Sequence, residues 1–488
     1  MAMERNIGII SNQEIGCELA KTLGSKGYTV SLFPDGVEFQ NEAEQARFCA
    51  QYRSASVSVM LDLESLLTSI ESPRRIFLAG DQADYTDDVL KRLLSCLEAG
   101  DILIDFCDVK FTRVIGRGEK VRSTGAFYLA AGMLCGDSRI FQGISILPGG
   151  AFPAYDAVRD ILMSFSARMD GDFYCCPYIG PDGSGQYVKM VHDGLADTLL
   201  SIYVEGISIL RTVLQCDTDE LAEILSQWDG GECGSYLLDV LCEVARKYDA
   251  VTEFPMIDVV LDKTDCRPGT RWMIESALSL GVPVSTVWAA AEACSFSQMK
   301  NERIASSKLV KMIPLRSVDP ASRKGFLLGI QHAVYLATLC AFAQSFALLK
   351  KASEHYAWEL NLLSIAKAYQ GSSLIRSEAL FRVIEALERK NNSANLLTDP
   401  YFKSIAEGYS MELRDVAKRG ISIGLSTPCL CGTVHYLDSY RAPASAAGIN
   451  TLAWDYILGD GFERTDRSGL YQGDWNHPDR FLQSESID

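Results

Sequence analysis

"NIGIISNQEIGCELAKTLGSKGYTVSLF" occupies residues 6–33. The apolar run at 6–10 reads as a buried strand. Residues 14–27 carry helical periodicity and stop at Gly27, and 28–33 read as a second strand. Strand, helix and strand in this order predict a βαβ unit and therefore a parallel sheet. The turn joining the first strand to the helix is where such a sheet would hold a dinucleotide at a helix N-terminus.

The same rhythm continues outward. Apolar runs at 74–80, 101–106, 125–133 and 143–150 predict further strands, separated by helix-length patterns. A mostly parallel, doubly wound sheet is expected. From about residue 184 long segments of 3.6 periodicity take over, at 184–214, 271–280, 320–358 and 404–424, and predict an all-helical domain. After about residue 440 the chain turns rich in Gly, Asp, Asn and Pro and reads as an extended tail.

The bulk numbers exclude several classes. The 488 residues are 48% hydrophobic, enough for two or three domains, and 22% charged, which argues against a disordered chain. A net charge of −17 disfavours nucleic acid or an acidic membrane as the main partner. Fifteen cysteines without a CxxC pair predict reduced thiols and a cytoplasmic protein. "MAMERNIGII" lacks the pattern of a secretion signal. The apolar run 333–349 contains Thr338, Gln344 and Ser345 and predicts a buried core helix. Five histidines, none at metal-ligand spacing with Cys or Glu, predict no metal site.

"KMVHDGLAD", 189–197, holds the densest chemistry. On a helix, Lys189, His192, Asp193 and Ala196 share one face. A base candidate, an imidazole and a carboxylate are followed there by a methyl group.

At this point a resemblance becomes specific. "GSGQYVKMVHDG" (183–194), "ILPGG" (146–150), "GTRWMIESALSLGVPVS" (269–285), "KNERIASSK" (300–308), "AFAQSFALL" (341–349), "IRSEAL" (375–380) and "PASAAGI" (443–449) resemble, in order and spacing, the decarboxylating 6-phosphogluconate dehydrogenase family. The resemblance covers essentially the whole chain. It implies a Rossmann-like NAD(P)-binding domain at 1–183, an all-helical dimerisation domain at 184–440, and a tail at 441–488 that reaches the partner subunit of a homodimer. The family reaction is NADP-dependent oxidation and decarboxylation of 6-phosphogluconate to ribulose 5-phosphate.

Transferred residue by residue, the family's sites are heavily altered. Its Gly-x-Ala-x-x-Gly cofactor loop falls on Ser11, Gln13 and Gly16, so only the last glycine is kept. Gln13 places a long side chain where pyrophosphate would approach the backbone, and Glu14 adds negative charge. The Asn-Arg-Thr run that selects NADP becomes Phe33, Pro34 and Asp35. Asp35 is either an acid for an NAD ribose or an ordinary turn residue before Gly36. The family's loop Lys-Ala pair becomes Asp81 and Gln82. Neither cofactor is expected to bind well, with NADP implied by the family and NAD open through Asp35.

In the family, a lysine takes the C3 hydroxyl proton and a glutamate helps protonate C1. Lys189 matches the lysine, while Ala196 stands at the glutamate. His192 matches a substrate-binding histidine, and Asp193 replaces an asparagine that holds substrate. The Asn-Ser pair after "DILID" becomes Asp108 and Val109, and the Ser-Gly-Gly loop becomes Leu134, Cys135 and Gly136. Among the phosphate contacts, Arg267 replaces a lysine, Asp197 a tyrosine, Cys294 an arginine, and Trp454 and Asp460 the tail's arginine and histidine. The simplest alternative for Lys189 is an i,i+4 ion pair with Asp193.

These losses together predict a pseudoenzyme: a dimeric binding or regulatory protein, forming a homodimer or a heterodimer with an active paralogue, with its small-molecule ligand unidentified. The alternatives are an active or weak 6-phosphogluconate dehydrogenase, or an NAD-dependent hydroxyacid dehydrogenase of altered specificity.

Overall fold

The computed structural model describes residues 6–36, 41–80, 83–134, 143–169, 171–310, 322–389, 395–477 and 481–483. Asp81, Gln82, Cys135 and Gly136 lie outside the described residues.

The N-terminal third alternates strands and helices: β1 (Asn6–Ser11), α1 (Glu14–Ser25), β2 (Thr29–Pro34), α2 (Glu42–Tyr52), β3 (Val57–Val59), α3 (Leu63–Thr68), β4 (Arg75–Leu78), α4 (Ala83–Leu94), β5 (Ile102–Asp105), α5 (Phe111–Arg122), β6 (Phe127–Leu134), β7 (Ser145–Gly150) and α6 (Phe152–Phe165). The strands form one seven-stranded sheet in the order β3-β2-β1-β4-β5-β6-β7. Every pair is parallel except β6 with β7. The order reverses between β1 and β4, which opens a crevice at their C-terminal ends.

Alternation of side chains along each strand builds a core on both faces of the sheet. Ile7, Ile9, Ile102 and Ile104 join one cluster, which α1 and α6 cover. Ile10, Leu103 and Ile76 join the other, with residues from α3, α4 and α5. The mostly parallel sheet and the helical second part are as expected. The three-residue β3 is an element the sequence reading did not mark.

A two-stranded hairpin, β8 (Arg168–Met169) and β9 (Phe173–Tyr174), leads to α7 (Ser184–Val213), a 30-residue helix. Its first turn is pressed onto β7. A Cβ on Gly185 would lie 2.1 Å from the Leu147 carbonyl oxygen, and one on Gly149 would lie 2.4 Å from the Gly185 nitrogen. Only glycine fits at either contact. The helical part continues with α8 (Thr218–Asp229), α9 (Tyr236–Ala245), α10 (Met256–Val259), α11 (Pro268–Leu280), α12 (Ser285–Gln298), α13 (Lys300–Leu309), α14 (Arg323–Tyr356), α15 (Leu362–Gly371), α16 (Glu378–Glu388), α17 (Pro400–Ile423) and α18 (Pro428–Arg441). The long apolar helix α14 packs on α7 and α17 and is largely buried.

The chain divides into two compact units, Met1–Val434 and His435–Asp488. The second carries α19 (Ala447–Leu458) and a small antiparallel sheet of β10 (Phe462–Glu463), β11 (Leu470–Gly473) and β12 (Phe481–Gln483). Its centre is the Asp455 carboxylate, which accepts from the Gly461 and Gly473 amides at 3.0 and 2.8 Å and from Trp475 Nε1 at 3.0 Å.

Candidate functional site

A cavity of about 550 Å³ opens where α7 passes the C-terminal ends of β1, β4 and β5. Its described lining includes Gln13, Asp108, Lys189, His192, Asp193 and Arg267, all singled out in the sequence. Leu134, also anticipated, lines it too, and Ile15, Ala79, Gly80, Phe106, Met133 and Leu374 complete the wall.

The approach of α7 to the sheet places the charged groups. Gln186 Nε2 donates to the Cys107 carbonyl at 3.0 Å, tying α7 to the loop after β5. That loop is set from below by Asp105. Its Oδ1 accepts from the Cys107 amide at 2.8 Å, and its Oδ2 accepts from Arg117 Nη1 at 2.8 Å and from the Tyr128 hydroxyl. Gly132 on β6 leaves room for the Lys189 stem, since a Cβ there would meet Lys189 Cβ at 2.8 Å.

Lys189 is therefore held between two carboxylates. Its Nζ donates to Asp193 Oδ2 at 2.6 Å and to Asp108 Oδ2 at 2.8 Å. Burial works against the ammonium, but Asp193 and Asp108 outweigh it and raise the Lys189 pKa above the ordinary lysine value. A lysine so held carries its proton at neutral pH and cannot accept another. The i,i+4 pair anticipated from spacing is present, and Asp108 adds a second partner from 81 residues away.

Asp193 also faces His192, with Nδ1 3.0 Å from Oδ1. A carboxylate only accepts, so Nδ1 carries the proton and Nε2 is left as a lone pair. Burial lowers the His192 pKa, which keeps the ring neutral. Nε2 is buried without a hydrogen-bond partner among the described residues. Burial opposes the Asp193 charge, yet Lys189 and His192 hold its pKa well below the usual carboxylate range.

The remaining cation is spoken for as well. Arg267 lies 3.9 Å from Asp193 Oδ1 and, through Nε, 3.6 Å from Asp197 Oδ1. Asp197 Oδ2 also accepts from the Arg267 amide at 3.0 Å and from Thr270 Oγ1 at 2.6 Å. Asp197 thus fastens the first turn of α11 instead of facing the cavity. Ala196 is buried on α7 and offers no proton donor. Cys294 is buried on α12 and is not among the described lining residues. Burial, chiefly, raises its thiol pKa. Trp454 and Asp460 belong to the C-terminal unit, and both are exposed.

In the dinucleotide loop, Ser11 takes up part of the loop's own backbone. Ser11 Oγ donates to the Ala79 carbonyl at 2.5 Å and accepts from the Gln13 amide at 3.1 Å. That amide is one an anion would otherwise use at the N-terminus of α1. A Cβ on Gly16 would fall 2.1 Å from Ser11 Cβ, so glycine is retained there to clear serine. Gln13 is the N-cap of α1 without a side-chain cap bond and lines the cavity, and Glu14 opens the helix. Phe33 and Pro34 end β2. Asp35 is buried and paired with Arg92, whose Nη1 lies 3.2 Å from Oδ1 while Nη2 contacts Oδ2. The carboxylate offered for a ribose hydroxyl is already engaged, by a residue 57 positions away that sequence pattern did not reveal.

Comparison with known proteins accounts for this architecture. The model of the NAD binding domain of 6-phosphogluconate dehydrogenase matches residues 6–180, and that of the 6-phosphogluconate dehydrogenase C-terminal domain matches 185–475. The chain is 33% identical over 472 residues to an NADP(+)-dependent decarboxylating 6-phosphogluconate dehydrogenase of Bacillus subtilis, covering 97% of this chain and 99% of that one. It is likewise 33% identical over 474 residues to the NAD(+)-dependent enzyme of the same organism, covering 97% and 100%. The solved 6-phosphogluconate dehydrogenase of Plasmodium falciparum superposes with a TM-score of 0.89 at 26% identity, over 96% of this chain and 100% of that one. With sheet order, helical domain and full-length likeness in agreement, the chain belongs to the 6-phosphogluconate dehydrogenase family.

Proposed function

We propose that this family member does not carry out the family's reaction and acts as a dimeric binding or regulatory protein. The observation that carries this reading is the Asp108–Lys189–Asp193 clamp, with Nζ 2.8 and 2.6 Å from its partners. The lysine matching the family's base is fixed as an ammonium, and the position matching its acid is Ala196. Proton transfer needs groups whose pKa lies near the working pH, and neither is present.

The residues of the cofactor loop do not fit NADP or NAD. Ser11 takes up the Gln13 amide, Gln13 projects into the cavity, and Arg92 occupies Asp35. The free state of the described cysteines supports a cytoplasmic location. Large exposed apolar side chains such as Trp288, Phe296 and Leu309 support a homodimer or a heterodimer with an active paralogue. The competing reading is a weak or NAD-preferring dehydrogenase. It draws on the full-length likeness to active relatives and on the retention of Lys189 and His192.

The test is reduction of NADP and of NAD by purified protein with 6-phosphogluconate, followed by nicotinamide absorbance. No turnover from a folded protein is expected. Turnover at ordinary enzyme rates refutes the proposal.

A further inference from the structure

The cavity over α7 has a defined chemistry even without turnover. The two cations of its described lining are already partnered: Lys189 by Asp108 and Asp193, and Arg267 by Asp193 and Asp197 at longer range. In the described lining the carboxylates of Asp108 and Asp193 face these two cations, Asp197 engages Arg267 from behind the wall, and the neutral His192 adds no charge. A sugar phosphate would have to strip both cations from their carboxylates and then sit beside those carboxylates.

Among the described residues, two acceptors remain without donors. Asp108 Oδ1 has no partner among the described residues, and its side chain is half exposed. His192 lines the cavity, is only 2% exposed, and keeps an unpartnered Nε2. A buried acceptor left bare is costly, so a donor entering the cavity is favoured. The Lys189 ammonium and Gln13 amide add donors suited to hydroxyl oxygens. The described wall also carries Phe106, Met133, Ile15 and Leu374, an apolar surface for a carbon skeleton.

We propose that this cavity binds a small polyhydroxylated amine, an amino sugar or aminopolyol, in place of a sugar phosphate. Its ammonium pairs with Asp108, and its hydroxyls meet His192 Nε2 and the Lys189 ammonium. This assignment rests on the non-catalytic reading of the same site.

The test uses ligand-observed NMR on the full chain with D-glucosamine, its neutral counterpart D-glucose, and 6-phosphogluconate. Saturable binding of glucosamine is expected, with weaker binding of glucose and none of 6-phosphogluconate. Asp108→Asn should weaken glucosamine by about tenfold, the loss of one charge-assisted hydrogen bond. Asp84→Asn, on a carboxylate 93% exposed, should leave binding unchanged. Melting curves of both variants establish that they fold. The proposal is overturned if no glucosamine binds, if glucose matches it, if 6-phosphogluconate binds more tightly, or if the two variants act alike. Failure here without 6-phosphogluconate turnover removes the ligand class alone. Turnover in the nicotinamide assay removes the underlying reading.

Discussion

Lys189 and its two carboxylates decide what the site can do. In the native protein Lys189 should remain an ammonium through pH 10, because Asp108 and Asp193 more than offset burial. In the Asp108→Asn/Asp193→Asn double variant burial acts alone, and the pKa should fall below the ordinary lysine value. Titration of the Lys189 side chain by NMR checks both statements, and an unchanged pKa in the double variant contradicts them. Asp193→Ala should destabilise the fold by about 3–5 kcal/mol in urea titrations, the usual cost of breaking a buried pair. The Lys189–Asp193 contact was legible in sequence, since four residues on a helix fix it. The arrival of Asp108 and the capture of Asp35 by Arg92 were not. They join residues 81 and 57 positions apart, and only the packed sheet brings those residues together.

α7 is the element that ties site to fold. Its first turn touches β7 through glycine backbone, and Gly185→Ala would push a methyl group into the Leu147 carbonyl. A loss of about 1–3 kcal/mol is expected, the usual range for overpacking, read as a lower denaturation midpoint. Further along, Glu205 accepts from the Cys429 and Leu430 amides at 2.7 and 3.0 Å and so caps the first turn of α18. Burial raises its pKa from 4.5 to about 7, against the pull of those amides. Its contribution is therefore fully present below pH 4.5 and is lost as pH rises through 7. Native protein should lose on the order of 3 kcal/mol across that interval relative to Glu205→Gln, measured as urea stability at each pH. Equal pH profiles would contradict this. Among elements, the long periodic helices and the buried strands were readable. The three-residue β3 was too short for a periodic signal, and α19 lay within a segment whose turn-rich flanks suggested extended chain.

At the scale of the molecule, the family fold is present, and the proposal is that it serves without the family's reaction. The sheet, α7 and the helical core keep their apolar pattern, and the substitutions fall where cofactor, phosphate and protons would be handled. A dimer is the expected solution state, with light-scattering mass twice the 53.7 kDa of the chain. A monomeric mass would contradict it. The fold and the family were legible because periodicity and spaced motifs run the length of the chain. The departures from the family's motifs were legible only as changed residue types. The lysine ion-paired to two acids and the serine that accepts from the loop's Gln13 amide became visible in three dimensions.

The initial rate of NADP or NAD reduction by the purified protein in saturating 6-phosphogluconate decides between a working and a silent site. The Lys189 clamp, Ala196 and the altered cofactor loop predict no rate above the protein-free control. A turnover of order 1 per second or more, near that of ordinary enzymes, would contradict the account and require another group to supply the proton that Ala196 cannot.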